Sequence, residues 1–208
     1  RLFSSGKEDG AALEVAKAAL EKEPLSTRVG AVRGKKFAVF LRGEANEKRL
    51  RTETGVGTAR VVHFACHGEA DLTSPRLSRL VLARSKKLEA ATGEDGYFYV
   101  HDLKRLRLQA DLLVLSACGT NDGTQSPVDG ITGLSRAGLV AGARSVLSTL
   151  WPVKDKAARD LMLDFYRRWI GGGATRIHAL CEAKRAAIQR GAPLETWSAY
   201  TLFDAEVE

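Results

Sequence analysis

The chain has 208 residues, of which 32 are Lys or Arg and 25 are Asp or Glu, giving a formal charge of +7 with 44% hydrophobic and 27% charged residues. This is the balance of one ordinary soluble domain, and a chain of this length buries roughly 70% of the surface it exposes when unfolded, enough for a core without metal or disulfide staples. No apolar run approaches the roughly 18 residues of a membrane span, and no basic-then-apolar leader precedes a small-residue cleavage site, so a cytoplasmic protein without a membrane partner is expected.

In chain order, Ala12, Val15, Ala16, Ala19 and Leu20 recur at helical spacing and predict a helix over residues 8–22 that stops before Pro24. Residues 25–36 read as a turn-rich connection. Residues 37–41 form a short apolar run, 44–51 a helix, and RVVHFA (60–65) a β-branched run of strand length. Residues 80–83 predict a strand, 101–106 a short helix, DLLVLS (111–116) a buried strand and 131–141 a helix. SVLSTL (145–150) is another buried strand. A long helix over 154–170 is stopped by Gly171, Gly172 and Gly173; a second follows over 175–189, and 196–203 predict a last strand. Strands alternating with helices, and apolar without alternation, indicate an α/β sheet, mostly parallel, with helices on both faces.

Cys66, Cys118 and Cys181 are odd in number, widely spaced and without CxxC, so neither a disulfide framework nor a zinc knuckle is indicated and a reducing compartment fits. The basic residues between 28 and 51 are interleaved with Glu44 and Glu47 and read as solvated faces. Lys104, Arg105 and Arg107 lack the aromatic residues and motif spacing of a nucleic-acid binder, so no nucleic-acid partner is expected.

Reactive groups in such sheets lie beyond the carboxyl ends of the strands. RVVHFA runs into Cys66, His67 and Gly68; DLLVLSA runs into Cys118, Gly119 and Thr120. If the two strands are neighbours, an imidazole and a thiol meet at one sheet edge. The thiolate is the nucleophile, the imidazole raises its fraction or protonates a leaving amine, and amides at glycine turns stabilise an oxyanion. His67 precedes Cys118 by 51 residues, the spacing of a caspase-type pair.

His63 and His67 are four apart, but on a strand and without a following glutamate they do not read as a zinc pair; His63 reads as structural, buried beside the dyad. Cys66 adjoins His67 but alternation points the two opposite ways. No metal or organic cofactor is expected. Cys181, among Leu180, Ala183 and Ala187, reads as core, and His101 and His178 as surface or capping residues. The segment 119–130 lacks the GK[ST] ending of a phosphate loop and reads as a mobile loop bordering the site. Ser135 stands in GLSRAG, which is no GxSxG elbow. Trp151 and Pro152 read as a core aromatic and a helix-start proline.

The ordered set VVHFACHGEAD, SRLVLA, ADLLVLSACGT and GLSRAGLVAGARSVLSTLWPV resembles the CHAT family of caspase-like cysteine peptidases, related to separase and often attached to tetratricopeptide repeats. The likeness spans about residues 37–203. It implies a caspase-like three-layer α/β/α sandwich and a cysteine endopeptidase acting in regulatory or defence proteolysis. By position, His67 is the catalytic histidine, Cys118 the nucleophile, and the backbone amides of Gly68 and Cys118 the oxyanion hole. Ser116 stands where caspases carry glutamine, so their preference for Asp does not transfer. LWPVKD resembles the LWDV segment of separases, which makes Asp155, then Asp129, the candidate for receiving a basic substrate side chain, although an Asp opening a long helix also serves as a cap. Expected partners are a protein or peptide substrate and an upstream repeat region or activating partner. With Arg1 first and Met162 the sole methionine, the sequence reads as a fragment, a single domain over 1–208 lacking the front portion of the family's domain. An idle or partner-activated interaction module is the alternative.

Overall fold

The computed structural model describes residues 28–33, 36–41, 45–52, 54–71, 73–84, 86–119, 128–151 and 153–205. The helix expected over 8–22 lies outside them. The described strands are β1 (Arg28–Arg33), β2 (Lys36–Leu41), β3 (Val61–Glu69), β4 (Arg79–Val81), β5 (Tyr97–Tyr99), β6 (Leu112–Gly119), β7 (Ser145–Thr149) and β8 (Tyr200–Asp204). The helices are α1 (Glu47–Thr52), α2 (Thr54–Gly57), α3 (Lys86–Thr92), α4 (Val100–Arg105), α5 (Val128–Val140), α6 (Asp155–Tyr166), α7 (Arg176–Gln189) and α8 (Leu194–Trp197).

The strands form one mixed sheet in the order β2-β1-β3-β6-β7-β8, with β4 pairing β3 and β5 pairing β4. Only β3–β6 and β6–β7 are parallel; β1–β2, β1–β3, β3–β4, β4–β5 and β7–β8 are antiparallel. The expectation of a mostly parallel sheet is therefore corrected. Apolar, unalternating strands report the two-sided burial of the sheet centre, and that burial does not fix the direction of the strands paired at its flanks.

Alternation along β3 and β6 sorts the core into two layers. On one face Val62, Phe64, Cys66, Leu113, Leu115 and Val146 pack with Phe98, Leu103, Leu134 and Ala137 from the β5–α4 segment and α5. On the other, Val61, Leu112, Val114 and Leu147 pack with Leu161, Met162, Phe165, Leu180 and Ala183 of α6 and α7. Helices thus cover both faces. Each fully buried Leu or Phe contributes roughly 1.5–3 kcal/mol, and the Phe64–Phe98 rings stack at 6.3 Å.

Helix α5 lies close to the sheet because Gly138 has no side chain: a Cβ there would stand 2.5 Å from Leu113 Cδ2 and 3.0 Å from Val146 Cγ2. The helix ends at Gly142, φ 107°, with the amide of Ala143 donating to the carbonyl of Gly138 at 3.1 Å, a left-handed glycine stop. The helix read over 154–170 is α6 followed by a π turn over Arg167–Gly171, and the glycines end it as expected. Thr175 Oγ1 accepts the His178 amide at 3.2 Å and starts α7.

Three local readings are corrected. Part of the expected turn-rich connection, Arg28–Arg33, is a strand held between β2 and β3. The last strand begins only at Tyr200, because Pro193 opens α8, where the Thr196 amide donates to its carbonyl at 3.0 Å. Cys181 is exposed: α7 buries Ala179, Leu180, Ala183 and Ala187, and Cys181 is turned off that stripe.

Candidate active site

The parallel pairing of β3 with β6 fixes the site. It runs from Val61 opposite Leu112 to Gly68 opposite Gly119, and sets His67 opposite Cys118 and Ala65 opposite Ser116. β3 is buried from Val61 through Cys66 and β6 from Leu112 through Leu115, which anchors both strands short of the paired residues. The β6–β7 ladder ends at Leu115 opposite Ser148, so β6 runs past the end of that pairing before it reaches Cys118. On the other edge of β3, β1 pairs Val61–Ala65 and β4 takes over at His67–Glu69, with Gly68 opposite Leu80.

His67 is exposed, whereas its chain neighbours Cys66 and Gly68 are buried. Cys66 belongs to the core layer under α5, on the face opposite His67, so the adjacent pair cannot converge on a metal. His63 sits two alternation periods further back on the His67 face, buried, and shares a 3.1 Å hydrogen bond between its Nδ1 and the Tyr166 hydroxyl. Its Nε2 has no partner among the described residues. Burial holds its pKa down to about 4 and pushes the Tyr166 phenol up. His63 is a neutral structural imidazole under the site, as its sequence context indicates.

Cys118 and Gly119 are described as backbone positions, and the side chains of Cys118, Asp129 and Asp155 lie outside the described residues, as do Pro152 and residues 120–127 of the expected border loop. Asp129 is the second residue of α5 and Asp155 the first of α6. Each helix follows a parallel strand, β6 and β7 respectively, so both N-termini belong to the carboxyl end of the sheet, where His67 stands. Ser116 is half-buried on β6. Ser135 is buried inside α5 and donates to Ser148 Oγ at 3.1 Å, a helix-to-sheet tie. Half-buried Trp151 donates its indole N–H to the Glu195 carbonyl at 2.7 Å and packs against the core layer of α6 and α7.

Arg79 was not singled out from sequence. It binds Glu69, at the end of β3, through Nε at 2.6 Å, and lies 4.1 Å from the Tyr97 ring centroid. This clasp fixes β4 and β5 against the strand end that carries His67. Its sequence signal was weak, since Arg79 and Glu69 are merely two of many charges. Among the described residues no three His, Cys, Asp or Glu side chains cluster to hold a metal ion, and no helix is long and apolar enough to cross a membrane.

Fold and strand-end geometry together define an α/β domain with a histidine and a cysteine in register on neighbouring parallel strands. The family model of the CHAT domain matches residues 6–205, and the chain belongs to that caspase-like, peptidase-related family. The match reaches further toward the N-terminus than the motifs do. A mouse protein, tetratricopeptide repeat protein 28 (Mus musculus), is 34% identical over 109 residues, which are 51% of this chain and 4% of that protein. The chain therefore corresponds to a small part of that relative's length.

Proposed function

We propose that the domain is a cytoplasmic cysteine endopeptidase of caspase-like fold, acting through Cys118 and His67. The observation that carries this reading is the register: His67, exposed, stands opposite Cys118 at the carboxyl ends of two buried parallel strands, and paired positions of a pleated sheet share a face. The Cys118 thiolate attacks the peptide carbonyl, forming the C–S bond. The resulting oxyanion accepts hydrogen bonds from the amides of Gly68 and Cys118. As the C–N bond breaks, His67 gives its proton to the leaving amine; water, deprotonated by His67, then cleaves the thioester and returns the thiol. Ser116 borders the substrate strand, and Asp155 with Asp129 receives a basic side chain before the scissile bond. Partners are a protein substrate and an upstream repeat region, the association suggested by the tetratricopeptide repeat relative.

The test is cleavage of a diverse peptide library, read by mass spectrometry beside Cys118→Ala and His67→Ala. Cuts lost in both variants, by several orders of magnitude, are expected. Cuts retained by Cys118→Ala refute the assignment, and cysteine-dependent cuts away from Arg or Lys remove the acidic pocket alone. The second reading, an idle or partner-activated interaction module, draws on that same relative, which is named for its repeats. It predicts no cysteine-dependent cut and ordinary thiol reactivity at Cys118.

A further inference from the structure

A concave site lies far from His67. A cleft of about 580 Å³ opens between α1–α2 and α4, walled by Leu50 and Leu106 and lined by Arg51, His101, Asp102 and Arg105. Its position follows from the topology. α2 leads into β3 and α4 leads into β6, and the two lead-ins are tied where the Gln109 amide donates to the Gly57 carbonyl at 2.9 Å. The cleft therefore sits by the starts of the parallel strands, whereas His67 stands six residues along β3, about 20 Å away at the usual strand rise.

The charges in the cleft are arranged rather than scattered. Buried Asp102 accepts from Arg51 Nη2 at 3.1 Å and from the Tyr99 amide at 3.2 Å, and His101 Nε2 lies 3.5 Å from it. Arg51 also donates to buried Glu47 at 3.1 Å. The two carboxylates are thus spent on fixing the first guanidinium and the imidazole. Arg105 has no carboxylate partner among the described residues, nor do exposed Lys48, Lys104 and Arg107, each within two residues in sequence of one that lines the cleft. Arg107 holds φ 48°, the one positive φ at a non-glycine residue among those described. The turn carries a cation next to cleft-lining Leu106 although glycine or asparagine is the easier occupant of that conformation.

An unmatched guanidinium over a concave, partly apolar wall, with further unpaired cations close by in sequence, focuses a positive field, and the volume is that of a small-molecule site. Guanidinium forks match phosphate oxygens two at a time. We propose that this cleft binds a small molecule carrying a di- or triphosphate group, with Arg105 gripping the phosphates and His101, together with the N–H groups that Arg51 does not spend on Asp102 and Glu47, at their side. Inorganic polyphosphate and a nucleoside triphosphate share this chemistry.

The test is calorimetric titration of the chain with tripolyphosphate, ATP and AMP, at low and physiological salt, beside Arg105→Ala and Arg185→Ala. Arg185 is an exposed arginine on α7, in the other helical layer, so its loss removes the same charge without touching the cleft. One-site binding that weakens about tenfold or more in Arg105→Ala and not in Arg185→Ala is expected, the scale of one charge-assisted hydrogen-bonded contact. Equal affinity for ATP and tripolyphosphate assigns the recognition to phosphates alone; tighter binding of ATP assigns a nucleotide. Absence of saturable binding to either, or equal weakening in both variants, overturns the proposal. The readout does not depend on peptide cleavage.

Discussion

His63 offers a quantitative test of how the sheet was built. The imidazole is buried, bonded to Tyr166 through Nδ1 and unpartnered at Nε2, and its pKa falls from the ordinary 6.5 to about 4. Between these values the unfolded chain binds a proton that the folded one refuses, so stability rises with pH across that window and is lost as pH falls through it. Each unit is worth about 1.4 kcal/mol, so His63 alone removes about 2 kcal/mol between pH 6.5 and about 5, before most carboxylates titrate. Glu47, whose pKa burial raises above its ordinary 4.5, works with the opposite sign from that value upward. Subtracting a variant isolates the histidine. The assay is urea unfolding at pH steps from neutral to about 5, for the native chain and for His63→Leu, which puts an apolar, non-titrating side chain of similar bulk in the same place. The native chain should lose about 2 kcal/mol more than the variant over the window. Parallel stability curves refute the reasoning, because they mean that folded His63 takes up its proton as readily as unfolded His63.

Gly142→Ala should cost about 2 kcal/mol or more in the same assay, since φ 107° is foreign to alanine and the new Cβ runs into the Leu108 carbonyl oxygen. Gly138→Ala pits a helix-propensity gain of about 1 kcal/mol against an overpacking cost of about 1–3 kcal/mol at Leu113 and Val146; a net loss of about 1 kcal/mol is expected, and a stabilised variant contradicts the packing. Cys181 should react with a thiol reagent in the folded protein and Cys66 only after unfolding, as peptide mapping of alkylated sites can show. Cys118 should outpace Cys181, and the excess should vanish in His67→Ala.

The central strands were legible because β3, β6 and β7 are buried on both faces and are rich in Val, Leu and Phe, with Ser, Thr or His the few polar residues among them. Direction was not legible from the same signal, since burial reports how a strand is covered and not which way its neighbours run. Arg28–Arg33 was missed because RVGAVR is short and charged at both ends, and its strand state is supplied by two neighbours. Cys181 was misjudged by one position, the step that takes a helical residue off the apolar stripe. His67 and Cys118 were legible as chemistry because each follows an apolar run directly. The Arg79–Glu69 clasp and the Arg51–Asp102 cleft were not, since their partners meet only through the strand pairing and helix packing.

The β3–β6 ladder gives the 51-residue spacing of His67 and Cys118 a different meaning. Every pair in that ladder is offset by the same 51 residues, from Val61 and Leu112 to Gly68 and Gly119, and the Arg60–Asp111 ion pair continues the offset just outside the strands. The number counts the length of the crossover and carries no geometric information about the dyad. What aligns the two residues is the apolar pattern of the strands, because a slip by one position turns each buried side chain to the opposite face. Residues added at an exposed turn such as Gly93, where no atom crowds the backbone, change the spacing and leave the alignment intact. Homologous domains are therefore better recognised by two apolar strands ending in His-Gly and Cys-Gly than by any fixed interval between them.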